Sequence, residues 1–230
     1  DLLQSREKFI SILGHDLRSP LGNIGSLSEL LLTTYESKSD EFRKTVLQHI
    51  NTGATNLLKL VENLLLWSRV QNGSLQFVHI EKDISIIIKQ TIELLQAVAN
   101  EKQILIINNC NDDLVWKVDE NMVATIFRNL ISNAIKYSYQ GGIIEIYSKK
   151  DSNKIEFSIV DYGMGIDFST LQKLFTLGEV YSQKGTANEQ GSGLGLILCK
   201  EFVSRHGGSI WVESDEGKGC KFVFTLLNIE

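Results

Sequence analysis

The chain has 230 residues, enough for one large domain or two modest ones. With 43% hydrophobic and 22% charged residues it has an ordinary globular composition, which excludes wholesale disorder. A net charge of −5 argues against a sequence-independent grip on nucleic acid, and no apolar run approaches the roughly 20 residues of a membrane span.

Cys110, Cys199 and Cys220 are odd in number and form no CxxC pair. They fit neither a disulfide framework nor a structural zinc site, and they suit a reducing cytosol. The chain starts at Asp1 without a secretory leader, so it reads as a piece of something longer.

From the N-terminus, Ile10, Leu13, Leu17, Ile24, Leu27 and Leu31 form a stripe with the 3.5-residue period of a bundle seam. A second stripe runs Val46, Ile50, Gly53, Leu57, Leu60, Leu64 and Trp67. The polar stretch from Thr33 to Asp40 separates them, with Ser39 or Asp40 placed to cap the second helix. This is an antiparallel helical hairpin. Leu30, Leu58, Val61 and Leu65 widen the stripes beyond one seam, which predicts that two hairpins associate as a homodimeric four-helix bundle. His15 then falls on the solvent-facing side of the first helix, with Asp16 beside it, Ser19 one turn on and Pro20 inside the helical pattern. A solvated surface histidine would account for this as well as a reactive one does.

Asn72-Gly73 ends the second helix, and Ser74 to Val78 reads as a linker running into the first strand of an α/β domain. Helices are predicted over Asp83–Ala99, Asp119–Tyr137 and Leu196–Ser204. Strands are predicted at Ile104–Ile107, Ile143–Tyr147, Ile155 up to Asp161, Ile210–Glu213 and Lys221–Leu226. Helices and hairpins mix without strict alternation, which predicts a mixed sheet with helices on one face.

Within this domain Asn129, Asn133, Lys136 and Tyr137 share one helix face. Amide oxygens can ligate Mg²⁺, a lysine can meet phosphates and a tyrosine can pack on a base, though a solvated polar face would look alike. Asp161-Tyr-Gly163-Met-Gly165 follows a strand, where a carboxylate can accept from an exocyclic amine and glycines let a flat ring approach. Gly191-Ser-Gly193-Leu-Gly195 opens a helix and exposes N–H groups suited to phosphate. It is neither the dinucleotide fingerprint nor a Walker loop. The stretch from Phe168 to Gln190 between these glycine sites has the polar second half of a lid.

In order, FISILGHDLRSPL, IFRNLISNAIKYS, DYGMGI, LQKLF and GSGLGLILCKEFVSRHGGSIWVES resemble the H, N, G1, F and G2 boxes of bacterial two-component sensor histidine kinases. The resemblance covers essentially the whole chain. It implies a dimerisation and histidine-phosphotransfer domain over 1–73 and a Bergerat-type α/β sandwich that binds ATP over 74–230.

It implies further that His15 accepts the phosphoryl group of ATP, with Asp16 as acidic general base. Ser19 stands where the family often has Thr or Asn at a phosphatase-type position. Asn133 matches the Mg²⁺ ligand, and Asn129 supports the phosphate region. Lys136 matches a phosphate contact, Tyr137 packs on adenine and Asp161 reads its amino group. Gly163, Gly165, Gly191, Gly193 and Gly195 match the box glycines. Cys220 stands where Ser or Thr is frequent. The implied partners are a second copy of the chain and the receiver domain of a response regulator. The implied location is cytoplasmic, within a parent that can be anchored in the inner membrane. ATP-hydrolysing clamps share the ATP fold but need no exposed helical histidine, and a non-catalytic ATP-binding scaffold would not need the full set of boxes.

Overall fold

The computed structural model describes residues 2–112, 114–176, 184–187, 189 and 193–228, with side chains from Gly14 onward except those of His15 and Asp16. Two compact units emerge, Asp1–Leu75 and Gln76–Glu230.

The first unit is a hairpin of α1 (Leu2–Thr34) and α2 (Asp40–Gln71). Helix α1 runs through Pro20, although an interior proline removes a backbone hydrogen bond. Ser39 caps α2 by accepting the Phe42 N–H at 3.3 Å. Asp40 and Glu41 occupy the first turn and Arg69 the last, each matched to the helix dipole. Arg43 closes the connection by donating from Nε to the Tyr35 carbonyl at 2.7 Å and lying over its ring. Small size lets the helices approach: a β-carbon on Gly53 would stand 3.1 Å from Ile24 Cγ1. The hairpin buries Val46, Leu60, Trp67 and Val70 but leaves Leu30, Leu58 and Leu65 exposed. Two helices expose too much apolar surface to bury it on themselves, as the width of the stripes predicts.

The second unit begins with β1 (Ile80–Asp83), which pairs antiparallel with β3 (Val115–Val118) in a small sheet of its own. Helix α3 (Ile84–Glu101) follows β1, capped by Asp83, and β2 (Leu105–Asn109) lies between α3 and β3. Then come α4 (Glu120–Tyr137), β4 (Ile143–Lys150), β5 (Lys154–Asp161), the short α5 (Phe168–Leu171), α6 (Leu194–Arg205), β6 (Ile210–Asp215) and β7 (Gly219–Leu227).

The main sheet runs β2-β4-β5-β7-β6, with β2 parallel to β4 and every other pair antiparallel. On β5 the residues Ile155, Phe157, Ile159 and Asp161 are buried and alternate with less buried neighbours, so one sheet face packs under helices. Phe127 of α4 sits edge-on to Phe157 and Phe224, which stack on each other at 5.2 Å between ring centres. This is the expected α/β domain with a mixed sheet. Strand β3 is an addition to the expectation; its Trp116 and Val118 face inward, and the Trp116 indole N–H donates to the Leu227 carbonyl at 3.2 Å.

Candidate functional site

The site is built on α4. Its N-cap, the buried Asp119, accepts the Met122 N–H with one carboxylate oxygen and the Val78 N–H with the other, both at 3.1 Å. The Asp119 N–H in turn donates to Nε2 of the fully buried His206 at 3.1 Å, so that nitrogen is unprotonated. Nδ1 therefore carries the ring proton and donates to the Phe202 carbonyl at 2.7 Å. Burial holds the His206 pKa below its usual value.

Helix α4 buries Ile126, Phe127, Leu130, Ile131, Ala134 and Ile135 and leaves Asn129, Asn133, Lys136 and Tyr137 half-exposed on another face. Gly195 of α6 packs directly on the first of these, for a β-carbon there would lie 2.8 Å from Asn129 Oδ1. The buried Cys199, one turn further along α6, also meets the Asn129 amide, and burial pushes its thiol up to about 12. The Asn133 carboxamide makes no hydrogen bond among the described residues, so it is available to a ligand. Lys136 donates to the Tyr137 hydroxyl at 2.8 Å and lies 4.5 Å from that ring's centre.

The last turn of α4 meets the end of β5. The Tyr137 carbonyl accepts the Met164 N–H at 3.1 Å, and a β-carbon on Gly163 would collide with that carbonyl. Gly163 N–H donates to Asp161 Oδ1 at 3.0 Å. Gly165 has a positive φ of 66°, and a β-carbon there would collide with the Asp215 carbonyl, so only glycine fits. Asp161 itself is 3% exposed. Burial raises its carboxyl to about 6, against the downward pull of the Gly163 and Cys220 backbone N–H groups.

Cys220 pairs with Asp161 in register across β5 and β7. Its Sγ lies 3.3 Å from Ser214 Oγ, and burial together with the Asp161 charge pushes the thiol up to about 12. A cavity of about 350 Å³ also opens at this end of the sheet. Its wall holds Asp161 and Cys220 together with Val160, Tyr162, Glu213 and Lys221, so it adjoins the candidate site at Asp161.

The structure thus brings Asn129, Asn133, Lys136, Tyr137, Asp161, Gly163, Gly165 and Gly195 into one continuous region of the second unit. Gly193, with φ 65°, is the N-cap of α6, which starts at Leu194, two residues before the expected Leu196. Gly191 and Ser192 lie outside the described residues, as do 177–183, 188 and 190 of the stretch expected to be a lid. In the first unit His15 and Asp16 belong to α1, but their side chains lie outside the described residues; Ser19 and Gly22 of the same helix are exposed.

Sequence reasoning misses Lys102, Thr186 and Glu189. Lys102 Nζ donates to the backbone carbonyls of Ile135 and Lys136 at 2.8 and 3.0 Å, to Thr186 Oγ1 at 2.7 Å and to Glu189 Oε1 at 2.9 Å. No motif carries these residues, because their pairing spans 84 and 87 positions.

Comparisons with known proteins bear on the family and the fold. Residues 5–73 match the model of the His Kinase A (phospho-acceptor) domain, and residues 118–229 match that of the histidine kinase-, DNA gyrase B- and HSP90-like ATPases. Sensor histidine kinase WalK of Bacillus subtilis is 32% identical over 97% of this chain, which spans 37% of WalK's own length. The fold resembles that of histidine kinase AdeS of Acinetobacter baumannii, with a TM-score of 0.74 at 20% identity, covering 94% of this chain and 98% of that one. It also resembles histidine kinase ThkA in its complex with the response regulator protein TrrA, with a TM-score of 0.72 at 22% identity, covering 98% of this chain and 64% of that one. Among the described residues no helix is long and apolar enough to cross a membrane. The chain belongs to the two-component sensor histidine kinases, and what it carries is their transmitter core, a phospho-acceptor domain followed by an ATP-binding domain.

Proposed function

We propose that this chain transfers the γ-phosphoryl group of ATP to His15 and then passes it to an aspartate on a response regulator. Residues 1–73 serve as the dimerisation and phosphotransfer domain, and 74–230 as the catalytic ATP-binding domain. The observation that carries the reading is the junction of α4 with β5. There an amide-rich helix face and a buried carboxylate are held together through Gly163 and the Met164 to Tyr137 hydrogen bond.

Phosphoryl transfer needs in-line positioning and neutralised oxygens more than new covalent groups, and the donor set suits that need. Asp161 offers a desolvated acceptor to the adenine amino group. Tyr137 offers its ring to the base. Lys136 supplies a cation to the phosphates, and Asn129 and the glycines of the α6 N-terminus supply neutral contacts. Asn133, with an unengaged carboxamide, would hold Mg²⁺, which when bound neutralises phosphate charge. His15 attacks through a neutral ring nitrogen, available at physiological pH because the ordinary imidazole pKa is near 6.5. Asp16 orients the ring and takes the departing proton. Ser19, one turn on, stands where a hydroxyl can orient water for the reverse loss of phosphate from the regulator.

Incubation with γ-labelled ATP and Mg²⁺ tests the reading. Acid-labile, base-stable label is expected on the wild type and none on His15→Gln. Label that persists in the variant, or a wild type that takes up none, refutes the assignment.

A further inference from the structure

The chain that follows α2 is held at both ends. The Ser74 and Leu75 N–H groups donate back to the Arg69 carbonyl at 3.0 and 3.2 Å, and the Val78 N–H donates forward to Asp119 Oδ2 at 3.1 Å. Around that second bond three rings form a knot. Phe77 stands edge-on to His79 and to His206, with ring centres 3.8 and 4.8 Å away, and the two imidazoles lie 5.6 Å apart. His206 is the C-cap of α6, and Asp119 is the N-cap of α4. A strap of Phe77, Val78 and His79 is thereby fastened to the ends of both helices.

The two histidines of the knot differ. Both ring nitrogens of His206 have partners, whereas Nε2 of His79 is buried and makes no hydrogen bond among the described residues. As the bare acceptor of a neutral ring that nitrogen costs little, but a proton placed on it is a buried, charged donor with no acceptor to meet it. The charges that face the ring are Asp119, at the start of α4, and Lys117, on β3; His206 faces it from the end of α6. Both oxygens of Asp119 already accept backbone N–H groups, those of Met122 and Val78. Burial outweighs the pull of Asp119 and holds the His79 pKa below its usual 6.5. Such a group lends stability that is complete above pH 6.5 and is lost as pH falls below it.

We propose that Phe77–His79 is an acid-released latch: the neutral imidazole of His79 keeps the strap on the N-cap of α4, and protonation of that ring expels it and breaks the Val78 bond. Release hands the three residues, roughly 10 Å of extended chain, to the connection that follows α2. On the reading of residues 1–73 as the phosphotransfer domain, this lengthens the tether by which ATP is brought to His15.

Hydrogen exchange of the full chain, read as protection factors, tests the latch without nucleotide, so the outcome is independent of the kinase reading. Between pH 7.5 and 5.5 the Val78 amide should lose up to about tenfold of its protection, the most that a single proton gives one unit below 6.5, while the amides of β5 and β7 do not lose theirs. His79→Phe, which keeps a ring in the knot and takes up no proton, should hold Val78 equally at both pH values. In the wild type the His79 ring should titrate by NMR with a midpoint below 6.5. Equal protection of Val78 at the two pH values in the wild type overturns the proposal, as does a loss shared with β5 and β7, which is global unfolding. Acid loss in His79→Phe overturns it too, because the trigger is then another group. Should His79→Phe leave the strap open at both pH values, the ring titration decides, and a His79 midpoint at or above 6.5 overturns the proposal.

Discussion

Replacing Asp161 with asparagine separates what this carboxylate costs the fold from what it does for the nucleotide. Burial raises its pKa from 3.8 to about 6, so the folded domain binds the proton more tightly than the unfolded chain does. At pH 8, where both states are ionised, that difference of about two units costs the fold about 3 kcal/mol. Asparagine removes the charge and keeps an oxygen for the Gly163 N–H. The carboxylate's second backbone donor, the Cys220 N–H, finds a weaker acceptor in an amide than in a carboxylate, and that loss returns about 1 kcal/mol. The expected outcome at pH 8 is a variant about 2 kcal/mol more stable than the wild type.

The pH dependence has a definite sign. As pH falls from 8 through 6 toward 4, the wild type takes up the proton while folded and regains its stability, and Asp161→Asn does not. By pH 5 about two-thirds of the gap should have closed. Urea unfolding of the full chain, followed by hydrogen exchange in β5 and β7, measures this at both pH values. The same substitution should weaken ATP by about tenfold or more, since the carboxylate is the stronger acceptor for an exocyclic amine. A variant less stable than the wild type at pH 8, or equally stable at pH 5 and pH 8 relative to it, refutes the desolvation argument.

Further outcomes follow from other parts of the molecule. His206 is buried neutral between Asp119 and Phe202, and its depressed pKa means stability that is present above 6.5 and lost as pH falls below it; in an Asp161→Asn background, free of the opposing carboxylate, unfolding in urea should ease below pH 6.5, and His206→Gln should flatten that slope. Leu58 and Leu65 are 59% and 55% exposed, so changing both to Glu should dissociate the dimer in light scattering while circular dichroism keeps its helical signal. Leu60→Glu, at a buried site of the hairpin, should cost helical signal too. A β-carbon on Gly22 meets nothing within 4 Å, so Gly22→Trp should leave stability and His15 labelling intact and slow transfer to the response regulator; transfer at the wild-type rate would place regulator docking elsewhere.

The amino-acid sequence by itself determined the elements whose signals are local. The 3.5-residue stripes define the hairpin, and Ser39 announces the start of α2 because capping is a contact three residues long. The alternation of Ile155, Phe157 and Ile159 lays out β5, and the four polar positions of α4 share a face because helical spacing alone puts them there. Strand β3 escaped because Val115–Val118 is four residues long and its partner among the described residues, β1, lies more than thirty positions away. The start of α6 was two residues early for a similar reason, since the left-handed Gly193 acts as cap without a capping side chain.

What only the tertiary structure decided is what each polar group faces. Nothing near Lys102 in sequence marks it as a ligand of the α4 carbonyls and of Glu189, yet folding brings together a cation, a helix end and a carboxylate that local patterns keep apart. The raised pKa of Asp161 is likewise a property of the surface removed around it and not of its own chemistry. Gly163 and Gly165 read from sequence as room for a flat ligand, but the carbonyls of Tyr137 and Asp215 fill the space where their side chains would be. Periodicity tells which face of an element is apolar; desolvation, charge pairing and backbone approach depend on distances that exist only once the elements have packed.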